Sequence, residues 1–248
     1  MRNAKAIYHK QLQSLLKNPG MIVQAVIFLI LVIAITFLIG DDTPVDCDSC
    51  IPAYVCETCA ETNAPLDTPN PSLAGLFVVM FVGFAVVGSA SALVMEDKNT
   101  QNLRFMKMAD VKPYEYLVGT AVSMFAVILV ILILYALVGR YFGADMLWFM
   151  AATASGALVS VLLGLVVGLS KAPGLATLFS MVFGLGPMLS SFNETLARLL
   201  RFTYTQQVNL AVSGLDGDLS TNFIVIAANG AVVLAYFIWM HRKGNFLC

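Results

Sequence analysis

Apolar residues gather in six long runs along this chain, at 21–40, 72–95, 116–139, 146–169, 175–192 and 221–240, and polar residues collect between them. Each run is close to the ~20 residues that an α-helix needs, at 1.5 Å per residue, to cross about 30 Å of hydrocarbon. No Asp, Glu, Lys or Arg interrupts any of the six. The pattern predicts an all-α membrane protein, a single transmembrane domain over 1–248 with six transmembrane helices. The first run is longer than the roughly 7–15 residues of a signal-peptide core and no A-x-A-like site follows it, so it is read as an uncleaved span.

The polar segments predict further elements. Over 1–20, Ala4, Tyr8, Leu12, Leu15 and Leu16 share one helical stripe, with Lys5, His9 and Lys17 off it. That is an amphipathic helix lying along the membrane interface. Asn18, Pro19 and Gly20 then turn the chain into the bilayer. Segment 96–115 is too polar for lipid and reads as a helix outside it. Glu96 and Asp97 suit its N-terminal turn and Arg104 and Lys107 its later part, Leu103 and Met106 form an apolar edge, and Pro113 ends it. The fifth run contains Gly184, Gly186 and Pro187 and predicts a broken helix. Segment 193–220 is too polar to span and too apolar for a free loop. It reads as one or two short re-entrant helices in the outer leaflet, the alternative being a proline kink followed by a surface helix. On the fourth run Gly156, Ser160, Gly164 and Gly168 recur every four residues, marking one face for close packing against another helix of this or another subunit.

Composition agrees. The chain is 59% hydrophobic and only 12% charged, against about 25% charged residues in soluble domains. Its mean hydropathy is +0.83. The net charge of −1 says little, but the distribution orients the spans. Eleven of the fourteen Lys and Arg fall at the termini, in 96–115 and at Lys171; Arg140, Arg198 and Arg201 fall on the other side. Positive charge stays inside, so both termini are expected to be cytoplasmic, in a multi-pass protein of the plasma membrane. Nothing resembles a nucleic-acid patch.

The 41–71 loop has no Lys or Arg and is expected to face outward. It carries CDSCIPAYVCETC, with Cys47, Cys50, Cys56 and Cys59. Two CxxC pairs can grip zinc or close as disulfides. The oxidising side favours two disulfides. Mass spectrometry of protein purified without reductant should then show the loop peptide lighter by four hydrogens. Four free thiols or stoichiometric zinc would overturn the assignment.

Catalysis finds no footing. The two histidines, His9 and His241, lie near the ends, and no span carries an ionisable group. An intramembrane hydrolase needs acid–base or metal-ligating residues there, and a proton- or ion-coupled carrier generally needs carboxylates. An external energy source fits better, with a secondary carrier or a non-transport membrane protein as the alternative.

The combined pattern resembles the permease subunit of a type-2 ABC transporter. The resemblance rests on an interface helix ending in Asn18-Pro19 before the first span, and on the segment after the second. There Glu96-Asp97-Lys98-Asn99-Thr100 is followed by Leu103, by Val111-Lys112-Pro113, and by Tyr116 and Gly119. Asn99 stands where the family usually has Gly before Thr. The resemblance implies that 96–115 is a coupling helix resting on a separate ATPase, with Glu96, Asp97, Thr100, Leu103, Arg104, Met106 and Lys107 as its coupling residues. It implies a dimer with a second permease copy, ATP and magnesium bound by the ATPase, and no cofactor or metal in this chain. The sequence has no GxxxxGK[ST] loop, so it does not hydrolyse ATP in the P-loop manner. With uncharged spans, the pathway is expected to be apolar, with Phe77, Phe81, Phe84, Phe179 and Phe183 as candidates.

Overall fold

The computed structural model describes residues 8, 12–13, 20–39, 71–102, 108, 112–139, 141–170, 174–190, 194–213 and 219–242. Among these there is no strand, and eight helices account for nearly all of them. Helix α1 is Gly20–Ile39. Helix α2 begins as Pro71–Met80, passes through a π-helical turn at Phe81–Val86, and continues as Val87–Asn99. Then come α3 at Pro113–Val138, α4 at Ala144–Leu169 and α5 at Gly174–Ser190. Two short helices follow, α6 at Glu194–Leu200 and α7 at Tyr204–Ser213, and α8 closes the described chain at Leu219–Arg242. The cysteine loop 41–71 lies outside the described residues apart from Pro71. Of the N-terminal stripe, Tyr8 and Leu12 are helical and half-buried, and Gln13 is helical and exposed.

Four stretches are long and apolar enough to cross a bilayer: Gly75–Asn99, Tyr114–Val138, Ala144–Leu169 and Ser220–Met240. Two shorter apolar helices, Ile22–Ala34 and Gly174–Ser190, fall where the first and fifth spans are expected.

The helix ends differ from the sequence expectation, and the differences have reasons. Glu96 and Asp97 do not open a separate helix; they sit in the last turn of α2, which runs to Asn99. A polar residue ends the apolar run without ending the backbone hydrogen bonding. The helix stops at Thr100, whose N–H donates to Glu96 O at 2.9 Å and whose hydroxyl donates to the same oxygen at 2.8 Å. Gln101 follows at φ +57°, the left-handed position that commonly closes a helix, here without the usual glycine. Pro113 is itself helical. It opens α3, where its missing N–H costs nothing and its fixed φ is already helical. Residues 96–99 and 113–115 thus belong to the long helices.

The fifth helix is also not broken where expected. It runs unbroken past Gly184 and Gly186, with Pro187 inside its last turn. Segment 193–220 forms two helices, but α7 is no surface helix: Tyr204, Thr205, Gln206, Gln207 and Val208 are all buried. It packs on α4, α8, α5 and the first part of α2. Two of its buried polar side chains pair with neighbouring helices, while Gln207 Oε1 has no hydrogen-bond partner among the described residues. Gln206 Oε1 accepts from the Ser190 hydroxyl at 3.0 Å, and Ser160 and Tyr204 join their hydroxyls at 2.8 Å.

Helix α4 is central, touching α2, α3, α7 and α8. Its small-residue face packs within the chain. A Cβ added at Gly164 would lie 2.5 Å from Ala90 Cβ and 2.7 Å from Val87 O. At Gly168 it would meet Ser91 O and Val94 Cβ, each at 2.8 Å, and at Gly156 the Val208 side chain of α7 at 2.5 Å. Backbones approach this closely only where side chains are absent, so dispersion contacts replace the hydrophobic drive that lipid does not supply. Helix α1 is tied to α3 by the buried Tyr135 hydroxyl, which donates to Ala25 O at 3.3 Å.

Candidate functional site

Two places bring the expected functional residues together. The first is where the π turn of α2 meets α5. A π turn bonds residue i to i+5, is rare, and frequently marks functional places in helices. Here it lies against the end of α5 that carries Pro187. Pro187 has no N–H, so the Phe183 carbonyl four residues earlier lacks its ordinary helical donor. That carbonyl faces Gly83 of the π turn: a Cβ at Gly83 would lie 2.4 Å from Phe183 O and 2.8 Å from Gly184 Cα. In return, a Cβ at Gly184 would lie 2.6 Å from Phe84 Cβ. Two glycines on different helices therefore allow backbone-to-backbone contact at the point where both helices depart from ordinary α geometry.

The pathway candidates divide around this contact. Phe84, half-buried, sits on Gly184. Phe179 and Phe183 stack at 6.0 Å between ring centres, and Phe183 meets Tyr204 of α7 at 5.0 Å. Phe179, Phe183 and Tyr204 form one aromatic group along α5, and Phe84 of α2 reaches the same helix at Gly184. Phe81 stands apart: it is fully buried and tilts against Tyr135 at 5.5 Å. Phe77 is packed against the same core. Tyr204 escaped the sequence reading because its segment shows no regular apolar period.

The second place is the end of the bundle where α2, α3 and α4 meet. Asp97 is 6% exposed. Its Oδ2 accepts the Tyr116 hydroxyl of α3 at 3.0 Å, and its Oδ1 accepts the Asn102 amide at 3.1 Å. The same amide donates to Thr100 Oγ1 at 2.8 Å. Beside it, Lys98 Nζ donates to Ser170 O at 2.9 Å and Leu169 O at 3.4 Å. These are carbonyls at the C-terminus of α4, where the helix dipole attracts a cation. Of the residues expected to couple, Glu96 and Thr100 are exposed, while Asp97 faces inward. Leu103, Arg104, Met106 and Lys107 lie outside the described residues. Tyr116, Asn102 and Lys98 were not expected as partners of this site; the one signal was an aromatic residue at the start of the third span.

No curated protein and no solved structure matches the chain. The ABC-2 type transporter family matches residues 2–192, from before α1 to just past α5. That match covers most of the chain and takes in both places, apart from α7. With its long apolar helices and this family-wide match, the protein is a multi-pass membrane protein, and the chain belongs to the ABC-2 type transporter family, as the membrane component of an ABC transporter.

Proposed function

We propose that the chain is the permease subunit of an ATP-driven exporter, working as a dimer with separate ATPase subunits that bind ATP and magnesium. The observation that carries the reading is the family match over residues 2–192. The sequence supports it in two further ways. None of the six apolar runs carries a carboxylate of the kind that a self-energised carrier needs, Asp97 lying just past the second run. The polar segment between α2 and α3 joins two full-length spans directly, so force applied to it reaches both.

In this reading both termini and the α2–α3 segment are cytoplasmic, in the plasma membrane, as the distribution of Lys and Arg favours. Leu103 and Met106 are the apolar anchors of the ATPase contact, with Glu96, Arg104 and Lys107 as its polar rim. The aromatic residues Phe84, Phe179 and Phe183 support an apolar substrate path. Drugs, lipids and the apolar parts of peptides suit such a path.

The test is the double substitution Leu103→Asp and Met106→Asp. It places two carboxylates where apolar anchors are proposed and alters no span. Membrane insertion should be unchanged, while co-purification with the ATPase falls at least about tenfold, as loss of an interface hot spot does. Wild-type retention and wild-type ATP hydrolysis by the double variant would remove the coupling role from this segment.

A further inference from the structure

We infer that Asp97 is a positioning residue for the transport cycle: its carboxyl group, shared between Tyr116 and Asn102, holds the turn at 100–102, where the polar segment leaves α2, against α3. The inference rests on the proposed function, since the motion to be transmitted is that of the ATPase.

A helix end that merely stops at the membrane surface has no need of a buried carboxyl group. Asp97 is on the inward face of the last turn of α2, while its neighbour Glu96 faces solvent. One of its oxygens is bound to α3 through Tyr116, and the other to Asn102, the first helical residue after the turn. The two bonds therefore link the end of one span, the start of the next and the segment between them. Lys98 fastens the same turn to the end of α4. Between Asp97 and Asn102 the chain holds a non-glycine residue, Gln101, at φ +57°. A left-handed conformation at such a residue persists only where its surroundings impose it, and such positions cluster at sites that switch or clamp. The Asn102 amide bonds both Asp97 and Thr100, which imposes it here. Asp97 thus acts from inside the protein on the turn at 100–102, and the proposed ATPase contact lies beyond it in the chain.

The test uses the permease reconstituted with the P-loop ATPase that it retains on purification. Asp97→Leu keeps the approximate size of the side chain but accepts no hydrogen bond, so the bonds to Tyr116 and Asn102 are lost. Tyr116→Phe removes one of the two donors directly. Each is expected to leave the ATPase bound while lowering permease-dependent ATP hydrolysis about tenfold, the scale on which one well-formed hydrogen bond acts. Tyr116→Phe should add nothing in the Asp97→Leu background, because it acts through Asp97. Ser160→Ala serves as the comparison. It breaks a buried hydroxyl pair of similar geometry between α4 and α7, and should lower the melting temperature without changing hydrolysis by the complex.

Bound ATPase with native hydrolysis in Asp97→Leu would overturn the inference and leave the proposed function standing. Equal loss of hydrolysis in Ser160→Ala would also overturn it, since Asp97 would then be one packing contact among many. Failure of the unaltered chain to retain any P-loop ATPase would sink the proposed function, and the inference with it.

Discussion

Leucine in place of Gly164 is expected to destabilise the fold strongly. The obstacle is already present at the first carbon: a Cβ there falls 2.5 Å from Ala90 Cβ and 2.7 Å from Val87 O. One of these is backbone, so no rotamer change relieves it. The helices α2 and α4 must move apart along a contact that Gly168, Ser91 and Val94 share. Overpacking a close-packed interior usually costs about 1–3 kcal/mol, occasionally more; leucine, with three further carbons, belongs at the upper end. For a chain of this length each kcal/mol shifts the midpoint by roughly 2–4 °C, so a loss of about 10 °C is expected. Gly88→Ala is the internal comparison, since a Cβ there meets nothing within 4 Å. Thermal unfolding of both variants in the same detergent checks this. A Gly164→Leu midpoint equal to that of Gly88→Ala would show that α2 and α4 do not pack as described.

Valine at Gly83 should be nearly as damaging, and should also act on function. Its Cβ would approach Phe183 O, Phe183 C and Gly184 Cα, all backbone atoms, at 2.4, 2.6 and 2.8 Å. Separation of α2 from α5 would uncover the Phe183 carbonyl that Pro187 deprives of its helical donor. An uncovered carbonyl in an apolar surrounding costs about 1–3 kcal/mol beyond the steric term. The midpoint is expected to fall by about 10 °C, and permease-dependent ATP hydrolysis to fall with it, because Phe84 and the aromatic group of Phe183 come apart. Gly83→Ala should show a smaller loss in both. Unchanged melting in Gly83→Ala would mean that the two backbones do not touch.

Much of this architecture was legible in the sequence because lipid imposes a simple rule: ionisable side chains stay out of the spans. The six runs and the polar segments between them follow from that rule alone. Helix ends were less legible, since the charge at Glu96 marks where lipid stops while the backbone ladder continues to Asn99. Pro113 was ambiguous for a related reason, because the same fixed φ that ends one helix starts another. The four-residue spacing from Gly156 to Gly168 announced a close contact, but not that Ala90, Val94 and Val208 would fill it. Pro187 was read as a break because the residue that shields the freed carbonyl, Gly83, is about a hundred positions away in the chain. Nor does composition distinguish Asp97 from Glu96: two adjacent acids point in different directions only once the helix is placed beside α3.

The π turn also governs how α2 can be compared with any relative. A turn that bonds i to i+5 holds one residue more than the α turns around it, and each α-helical residue advances the chain by roughly 100° around the axis. The stretch Pro71–Met80 and the stretch Val87–Asn99 therefore do not share one helical wheel. The first directs Gly75 at Val212 of α7, and the second directs Ala90, Ser91 and Val94 at α4. A helical wheel drawn through both would scatter these contacts over unrelated faces. An aligned sequence lacking a single residue between Phe81 and Val86 could still seat each half on its own neighbour, through an ordinary α turn and a small rotation. A gap of one at this place is thus the mark of a straightened helix, and the same gap anywhere else in α2 is the mark of a misalignment.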